Sequence, residues 1–146
     1  MPCPFCLPRQ DSSQYWVKVA SLPVSTLYLD RNQTYRGHCL LVFDLYHVEG
    51  LELLAANDYT RVMLDLGKAA RAICAAHNPD LMNYASMGNV VRHLHWHIVP
   101  RYRSDPRWGS PIYTTDLGDM RITHLENVEY QLIAEKIRER LVENAA

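Results

Sequence analysis

The sequence predicts an α+β protein: a meandering antiparallel sheet of about five strands, with a long central helix and a C-terminal helix on one face. Polar and apolar residues alternate in several short β-branched runs, and apolar residues recur at three- and four-residue spacings in two longer segments. Pro, Gly and Asn separate these segments. The 146 residues suit one domain, 1–146, with an N-terminal Cys-x-x-Cys segment at 1–12 and a C-terminal loop and helix at 101–146.

The alternation predicts strands at 15–20, 24–29, 38–43 and 81–86, and a fifth strand that begins near Val90 and that Pro100 ends. A short helical turn is expected at 48–55. The central helix begins at residue 57 or 58, with Asp58 as N-cap, and ends at His77 before Asn78-Pro79. Its predicted apolar stripe is Tyr59, Val62, Met63, Leu66, Ala70, Ile73 and Cys74, with Arg61, Asp65, Lys68 and Arg71 opposite.

The C-terminal helix is predicted over 125–142, with one side formed by Leu132, Ile133, the Lys136 stem, Ile137 and Leu141. The composition indicates an ordinary globular protein, with 48% hydrophobic and 21% charged residues and a formal net charge of −1. We therefore expect no nucleic-acid partner and no membrane partner, so phosphate chemistry would need a local site. The sequence shows no signal-peptide pattern and no apolar run of membrane-spanning length, so a cytoplasmic protein is expected.

Histidines dominate the last predicted strand. His93, His95 and His97 alternate with Leu94, Trp96 and Ile98, so the imidazoles should share one face while the apolar side chains enter the core. Same-face neighbours on a strand lie about 6.5–7 Å apart. Three interpretations remain open: a polar strand face, a metal site that uses a His-x-His pair, or nucleophilic catalysis by a neutral imidazole.

The N-terminal segment contains a second candidate motif, Cys3-Pro4-Phe5-Cys6. Without secretory signals, such a pair indicates metal binding or redox chemistry rather than a structural disulfide. Pro8 and the polar residues 10–13 argue against the strand-to-helix setting that a redox motif requires. A zinc site would need two more ligands. Cys39 and Cys74 have apolar neighbours and are predicted to be core residues.

The run from His93 to Arg101, preceded by Gly88-Asn89, resembles the His-φ-His-φ-His-φ-φ signature of the histidine-triad (HIT) superfamily, and the resemblance extends back to the N-terminus. It implies a HIT-like fold and a nucleotidyl hydrolase or transferase of the bacterial type. The implied substrates are dinucleoside polyphosphates such as diadenosine tetraphosphate, cleaved at the α-phosphate, or nucleoside phosphoramidates. The family is commonly homodimeric through the long helix and an edge strand, which implies a homodimer here.

The resemblance also implies roles for individual residues. His95 corresponds to the nucleophile that forms a nucleotidyl-histidine, His97 to the residue that contacts phosphate and helps protonate the leaving group, and His38, after Gly37, to the residue that orients it. The implied nucleotide contacts are Asp30 for the ribose, Asn83 and Asn89 for the phosphates or leaving group, and Tyr28 and Phe5 for the base. On sequence features alone, Tyr28 and Phe5 are core aromatics. The implied structural zinc ligands are Cys3, Cys6, His47 and His93, and the chemistry needs no metal.

The chain departs from the family pattern in two places. Tyr35-Arg36 replaces a Pro that is usual in that loop, and Val90 replaces a frequent Ser or Thr donor. The basic and aromatic segment 101–111 is predicted to be a solvated loop, with a loop over the phosphate tail as the alternative. Two other functions remain open: a nucleotide-binding or interaction protein with little turnover, and a metal-dependent hydrolase with His93 and His95 as ligands.

Overall fold

A computed structural model describes residues 2–105, 107–112 and 122–144. Its elements are β1 (Trp16–Ser21), β2 (Ser25–Asp30), β3 (Cys39–Phe43), α1 (Ala56–His77), β4 (Leu81–Ala85), β5 (His95–Arg101) and α2 (Asn127–Glu143). A 3-10 turn at Leu51–Leu53 lies within the predicted helical turn. The predicted α+β fold, with a five-stranded antiparallel sheet and two helices, is confirmed.

The strand order is β1-β2-β3-β5-β4, and each neighbouring pair is antiparallel. Only the first three strands form the predicted meander, because β5 inserts between β3 and β4 and leaves β4 at the edge. The histidine strand therefore has a partner on each side. This placement gives it a fixed register and holds its side chains at defined positions across the sheet.

Strand β5 differs from its prediction at both ends. It begins at His95, so His93 precedes the regular ladder, and it continues through Pro100 to Arg101, so Pro100 does not end it. The pairs with β3 stop at Ile98, and beyond that point only β4 lies alongside. Proline is tolerated in strands at such edge-like positions, because it has no N–H to donate to a second neighbour.

Helix α1 packs on one face of the sheet, but its buried stripe differs from the predicted one. Tyr59, Met63 and Cys74 are exposed, whereas Asp65, predicted to lie on the polar side, is buried. The Asp65 carboxylate accepts hydrogen bonds from the Val24 N–H at 2.9 Å and the Ser25 hydroxyl at 2.6 Å. These bonds tie the helix to the beginning of β2 and supply the partners that a buried carboxylate requires.

Two further predictions about capping and cysteines need correction. The N-cap of α1 is Ala55, and Asp58 instead lies in the first turn, where its charge suits the helix dipole. Cys39 is fully buried, as predicted, but Cys74 is not a core residue. Asn78 ends the helix in the left-handed conformation, with φ of 47°.

Helix α2 covers the same sheet face as α1 and buries Tyr130, Ile133, Ala134 and Ile137. Leu132, predicted to face inward, is 65% exposed, because the buried stripe is rotated toward Tyr130. The Tyr130 hydroxyl donates to the Arg31 carbonyl at 2.5 Å, which joins the beginning of the helix to the loop after β2. No helix in the described ranges has the length and apolar character needed to cross a bilayer.

The opposite face of the sheet is covered by chain segments rather than by helices. Phe5 packs there on Tyr28, Leu40 and Val42, which brings the N-terminal segment onto the sheet. A second small cluster on this face contains Tyr35, Val99 and Ile112. The histidines of β5 lie between these two apolar clusters.

Candidate functional site

His95 and His97 lie side by side on the sheet face away from the helices, as predicted. His95 is paired with Val42 and His97 with Leu40, and directly paired residues share a face. The Nδ1 atom of His95 lies 2.6 Å from the main-chain carbonyl oxygen of His93. A carbonyl only accepts, so Nδ1 must donate, and the neutral ring then carries its lone pair on Nε2.

A second imidazole pair lies next to His95. His38, just before β3, places Nε2 at 2.9 Å from Nδ1 of His97. Burial, reinforced by the neighbouring imidazole, lowers the pKa of His38 to about 3 and that of His97 to about 4. Both rings are therefore neutral near pH 7, and one donates to the other across this contact.

Asp30, at the end of β2, borders the histidine pair. Its Oδ2 atom lies 4.0 Å from Nε2 of His38, and its Oδ1 atom accepts the Asn32 N–H at 2.7 Å. Burial raises the pKa of Asp30 to about 6. The carboxylate thus offers acceptor atoms at the edge of the cluster, where hydroxyl donors of a ligand would find a partner.

Aromatic residues form the side of the site next to the N-terminus. The Phe5 ring lies 5.4 Å from that of His95 and 5.6 Å from that of Trp16, which in turn lies 5.7 Å from Tyr28. Phe5 and Tyr28 were predicted at this site, whereas Trp16 was not. The period-two pattern of β1 was the available signal, but placing Trp16 beside Tyr28 also requires the β1–β2 register, which pairs Trp16 with Asp30.

An open cleft with a volume of about 540 Å³ adjoins this aromatic group. Phe5, Tyr28 and Arg9 line this cleft. The Arg9 guanidinium lies 5.3 Å from the centre of the Tyr28 ring and donates a hydrogen bond to the Asp44 carboxylate. Arg9 was not predicted at this site, because a lone arginine in a polar N-terminal segment carries no distinguishing pattern.

The two predicted asparagines have different surroundings. Asn83, paired with Val99, lies on the histidine face, and its Oδ1 atom accepts from Nη1 of Arg101 at 2.8 Å. Asn89 is exposed in the turn between β4 and β5. Val90 is 95% exposed. The valine side chain has no hydrogen-bonding group, so it cannot replace the hydroxyl donor that the family often has at this position.

The segment after β5 is not simply a solvated loop, because Arg101 is 1% exposed and organises it. The guanidinium donates to the Asp105 carboxylate at 2.9 Å, to Asn83, and to the carbonyls of Ser110 and Arg107, each at 3.0 Å. It also lies 4.7 Å from the centre of the Tyr35 ring. Arg101 was not predicted as buried, because arginine is ordinarily exposed unless it is fully paired.

The predicted zinc ligands come together at the other end of the histidine strand. Nδ1 of His93 lies 3.5 Å from each of the Cys3 and Cys6 sulfurs, and Nδ1 of His47 lies 3.3 Å from the Cys6 sulfur. The four candidate ligand atoms all lie within 4.8 Å of one another. A tetrahedral zinc site separates its sulfur and nitrogen ligands by about 3.6 Å, so this group fits the ion.

The outer contacts of His93 also suit a metal ligand. Its Nε2 atom donates to the Phe43 carbonyl at 2.6 Å, which leaves the lone pair on Nδ1, the atom that faces the sulfurs. Such a bond from the second nitrogen orients histidine ligands in metal sites. His93 thus contacts the cysteine pair with its side chain and His95 with its main-chain carbonyl.

His77, at the end of α1, supports the backbone just before His38. A Cβ atom on Gly37, which has φ of 89°, would lie 2.9 Å from the His77 ring, so only glycine fits there. The Nε2 atom of His77 is buried and has no hydrogen-bond partner among the described residues. Burial, with Lys136 and Arg36 nearby, lowers the pKa of His77 to about 4.

This lowered pKa predicts an acid-labile fold. The unfolded chain binds the proton near the ordinary pKa of about 6.5, so the stability contribution is complete above that pH and is lost as pH falls toward 4. We expect His77→Phe to reduce this loss by up to about 1.4 kcal/mol per pH unit below 6.5. Urea unfolding of both proteins at pH 7.5 and pH 5 measures it, and an identical pH dependence would contradict it.

The fold and this arrangement define an α+β protein with a histidine-rich site on the open face of an antiparallel sheet, and comparison with known proteins identifies the family. The model of the HIT domain family matches residues 13–104. The chain therefore belongs to the HIT domain family. A comparison with curated proteins finds no match.

Solved structures share the fold at low sequence identity. A histidine triad protein from Sinorhizobium meliloti is 20% identical with a TM-score of 0.78, over 87% of this chain and 90% of that one. One from Bradyrhizobium japonicum is 23% identical with a TM-score of 0.79, over 88% and 92%. A Zn-bound histidine triad family protein from Mycobacterium smegmatis is 20% identical with a TM-score of 0.62, over 88% and 85%.

Proposed function

We propose that this chain is a nucleotidyl hydrolase that cleaves at the α-phosphate of a dinucleoside polyphosphate or nucleoside phosphoramidate. The observation that carries the proposal is the 2.6 Å contact between Nδ1 of His95 and the carbonyl of His93. It holds the neutral ring in the tautomer in which Nε2 has a lone pair for attack.

In the first step, Nε2 of His95 attacks the α-phosphorus, a P–N bond forms, and the bond from phosphorus to the bridging oxygen or nitrogen breaks. His97 acts on the leaving group through its Nε2–H: when His38 Nε2–H donates to His97 Nδ1 across the 2.9 Å contact, the His97 proton lies on Nε2 and donates a hydrogen bond to the bridging atom. The proton that the bridging atom gains comes from solvent, and the water that attacks in the second step returns one to solvent, so both imidazoles stay neutral. In the second step, water attacks phosphorus, the P–N bond breaks, and a nucleoside monophosphate is released.

The remaining residues would bind the nucleotide. The Asp30 carboxylate would accept the ribose hydroxyls, and Phe5 and Tyr28, with Trp16 beside them, would pack against the base. Asn83 and Asn89 would serve the phosphates or the leaving group. The order of these groups across the sheet face, from the aromatic cluster through His95 and His97 to Asn83, supports an extended nucleotide bound along it.

A test of this function is the identity of the products. Attack at the α-phosphorus of diadenosine tetraphosphate releases AMP and ATP, whereas symmetrical cleavage releases only ADP. In ¹⁸O-labelled water, the label should enter AMP and not ATP, because water attacks only the histidine-bound phosphoryl group. Release of ADP, or label in ATP, would contradict the proposal; tight AMP binding without any turnover would favour a nucleotide-binding protein.

The alternative of a metal-dependent hydrolase that uses His93 and His95 has less support. Nδ1 of His93 faces the cysteine sulfurs, whereas Nδ1 of His95 faces a carbonyl. The two rings thus present their nitrogens to different partners. Activity that is lost with a chelator and restored by added metal would favour this alternative.

We further propose that Cys3, Cys6, His47 and His93 hold a structural zinc ion that fixes the N-terminal segment to the sheet. After dialysis against a weak chelator, we expect about one zinc ion per chain in the wild type and close to none in Cys6→Ser, because one thiolate ligand is lost. Cys74→Ser is the matched control, since Cys74 lies outside the cluster. Equal zinc content in all three proteins would contradict the proposed ligands.

A homodimer is also proposed, in line with the family. Edge strand β4 exposes Leu81 and Tyr84 to 51% and 53%, and α1 exposes Tyr59 and Met63. Unpaired edge strands with apolar side chains are suited to pairing with another chain. Light scattering should give twice the chain mass, and a monomer at micromolar concentration would contradict it.

A further inference from the structure

Three side chains of the histidine face form a second cluster with the chemistry of a metal site. Asp30, His38 and His97 each offer one ligand atom, and these atoms lie within 4.8 Å of one another. The side chains of His38 and Asp30 are only 7% and 20% exposed. The cluster shares no residue with the cysteine group, and His95 belongs to neither.

The separations between the candidate ligand atoms lie on either side of those found around a coordinated metal ion. Tetrahedral coordination by nitrogen and oxygen at about 2.0–2.2 Å separates the ligand atoms by about 3.3–3.6 Å. Here the two imidazole nitrogens are 2.9 Å apart, and the carboxylate oxygen is 4.0 Å from Nε2 of His38. Small side-chain rotations, which widen the first distance and shorten the second, would bring all three to one ion.

The protonation states also permit coordination. In the metal-free contact, one ring donates its proton to the other across the 2.9 Å gap. When the ion binds, the donating ring takes its other tautomer, with the proton on the nitrogen that faces away from the ion. Each ring then directs one lone pair at the ion, and no proton is released. Two imidazoles and a carboxylate suit Zn²⁺, Co²⁺ or Ni²⁺, whereas Mg²⁺ prefers oxygen ligands.

We propose that Asp30, His38 and His97 bind a divalent transition-metal ion that competes with the nucleotide. This inference rests on the proposed function for its consequence: the ion occupies Asp30, the proposed ribose acceptor, together with His38 and His97, so it inhibits hydrolysis. The ion takes no part in the chemistry. It makes the enzyme sensitive to free transition metals, independently of the structural zinc.

Cobalt is the probe, because its visible spectrum reports the ligands. Titration of Co²⁺ into zinc-replete wild type should give one site with d–d absorption and without the sulfur-to-cobalt charge-transfer band that cysteine ligands produce. AMP should raise the apparent dissociation constant for Co²⁺ at least tenfold. Asp30→Asn should weaken Co²⁺ at least tenfold as well, whereas Asp11→Asn, a control at a carboxylate that is 85% exposed, should leave it unchanged.

Several outcomes would overturn the site. These are no cobalt binding beyond the cysteine site, a charge-transfer band for the only bound cobalt, or equal affinity in Asp30→Asn and Asp11→Asn. Hydrolysis that is activated by added Co²⁺ would contradict the proposed competition between the metal ion and the nucleotide. Because the spectra and the AMP competition do not use turnover, a failed site and a failed hydrolase give different results. A protein that binds cobalt as expected but releases no AMP would refute only the hydrolase.

Discussion

Replacing His95 with asparagine is expected to lower the turnover of diadenosine tetraphosphate by about 10⁴-fold or more, because the variant has no nucleophile to divide the reaction into two steps. Asparagine is the informative substitution, since its amide N–H₂ can still donate toward the His93 carbonyl that now accepts from Nδ1. The local fold should therefore persist. Steady-state AMP release, with and without a strong chelator, measures the effect.

Two controls separate lost chemistry from lost structure. The His95→Asn variant should retain its affinity for AMP within about tenfold and its unfolding midpoint within a few degrees, since the protein loses a reacting group rather than a packing element. A quench of the wild type in denaturant at alkaline pH, where the P–N bond of a histidine phosphoramidate is stable, should trap an adduct that the variant lacks. Residual activity within tenfold of the wild type would exclude His95 as the nucleophile.

Replacing Arg101 with methionine is expected to lower the free energy of unfolding by about 3–5 kcal/mol. Methionine keeps much of the stem length but removes every donor. The Asp105 carboxylate, with a side chain only 11% exposed, then loses its cation, and the carbonyls of Ser110 and Arg107 lose a partner. The cost is large because these groups stay away from water after the partner is gone.

Arg103→Met provides the matched control two residues further along the same segment. Arg103 pairs with Asp80 at 3.8 Å, but its side chain is 79% exposed, so its loss should change stability by less than about 0.5 kcal/mol. Urea unfolding of the two variants beside the wild type gives the comparison. Equal destabilisation by both would show that burial of Arg101 does not determine its contribution.

The local sequence pattern was sufficient to predict most of the secondary structure and, within the site, that His95 and His97 share one face of the sheet. The alternation in β5 correctly places His95 and His97 on one face and Trp96 and Ile98 in the core, because strand periodicity is a property of neighbouring residues. The long apolar spacing before Asn78 likewise predicted α1 to within two residues of its observed bounds.

What the pattern could not supply depends on contacts between distant segments. Asp65 looked like a polar surface residue because its hydrogen-bond partners, Val24 and Ser25, lie about forty residues away. The insertion of β5 between β3 and β4 is equally invisible in a local window. Only the family resemblance predicted the approach of Cys3 and Cys6 to His93, since spacing alone does not relate positions 90 and 87 residues apart.

The hydrogen bond from Arg101 to Asn83 fixes which atoms of the Asn83 amide face the far end of the histidine face. A guanidinium has only donors, so the amide must turn its oxygen toward Arg101 and its N–H₂ group away. Arg101 thereby selects one of the two flip states of an otherwise ambiguous amide. A group that meets the N–H₂ side of Asn83 must accept a hydrogen bond, so this end of the site favours an anionic oxygen and disfavours an ammonium group, which only donates.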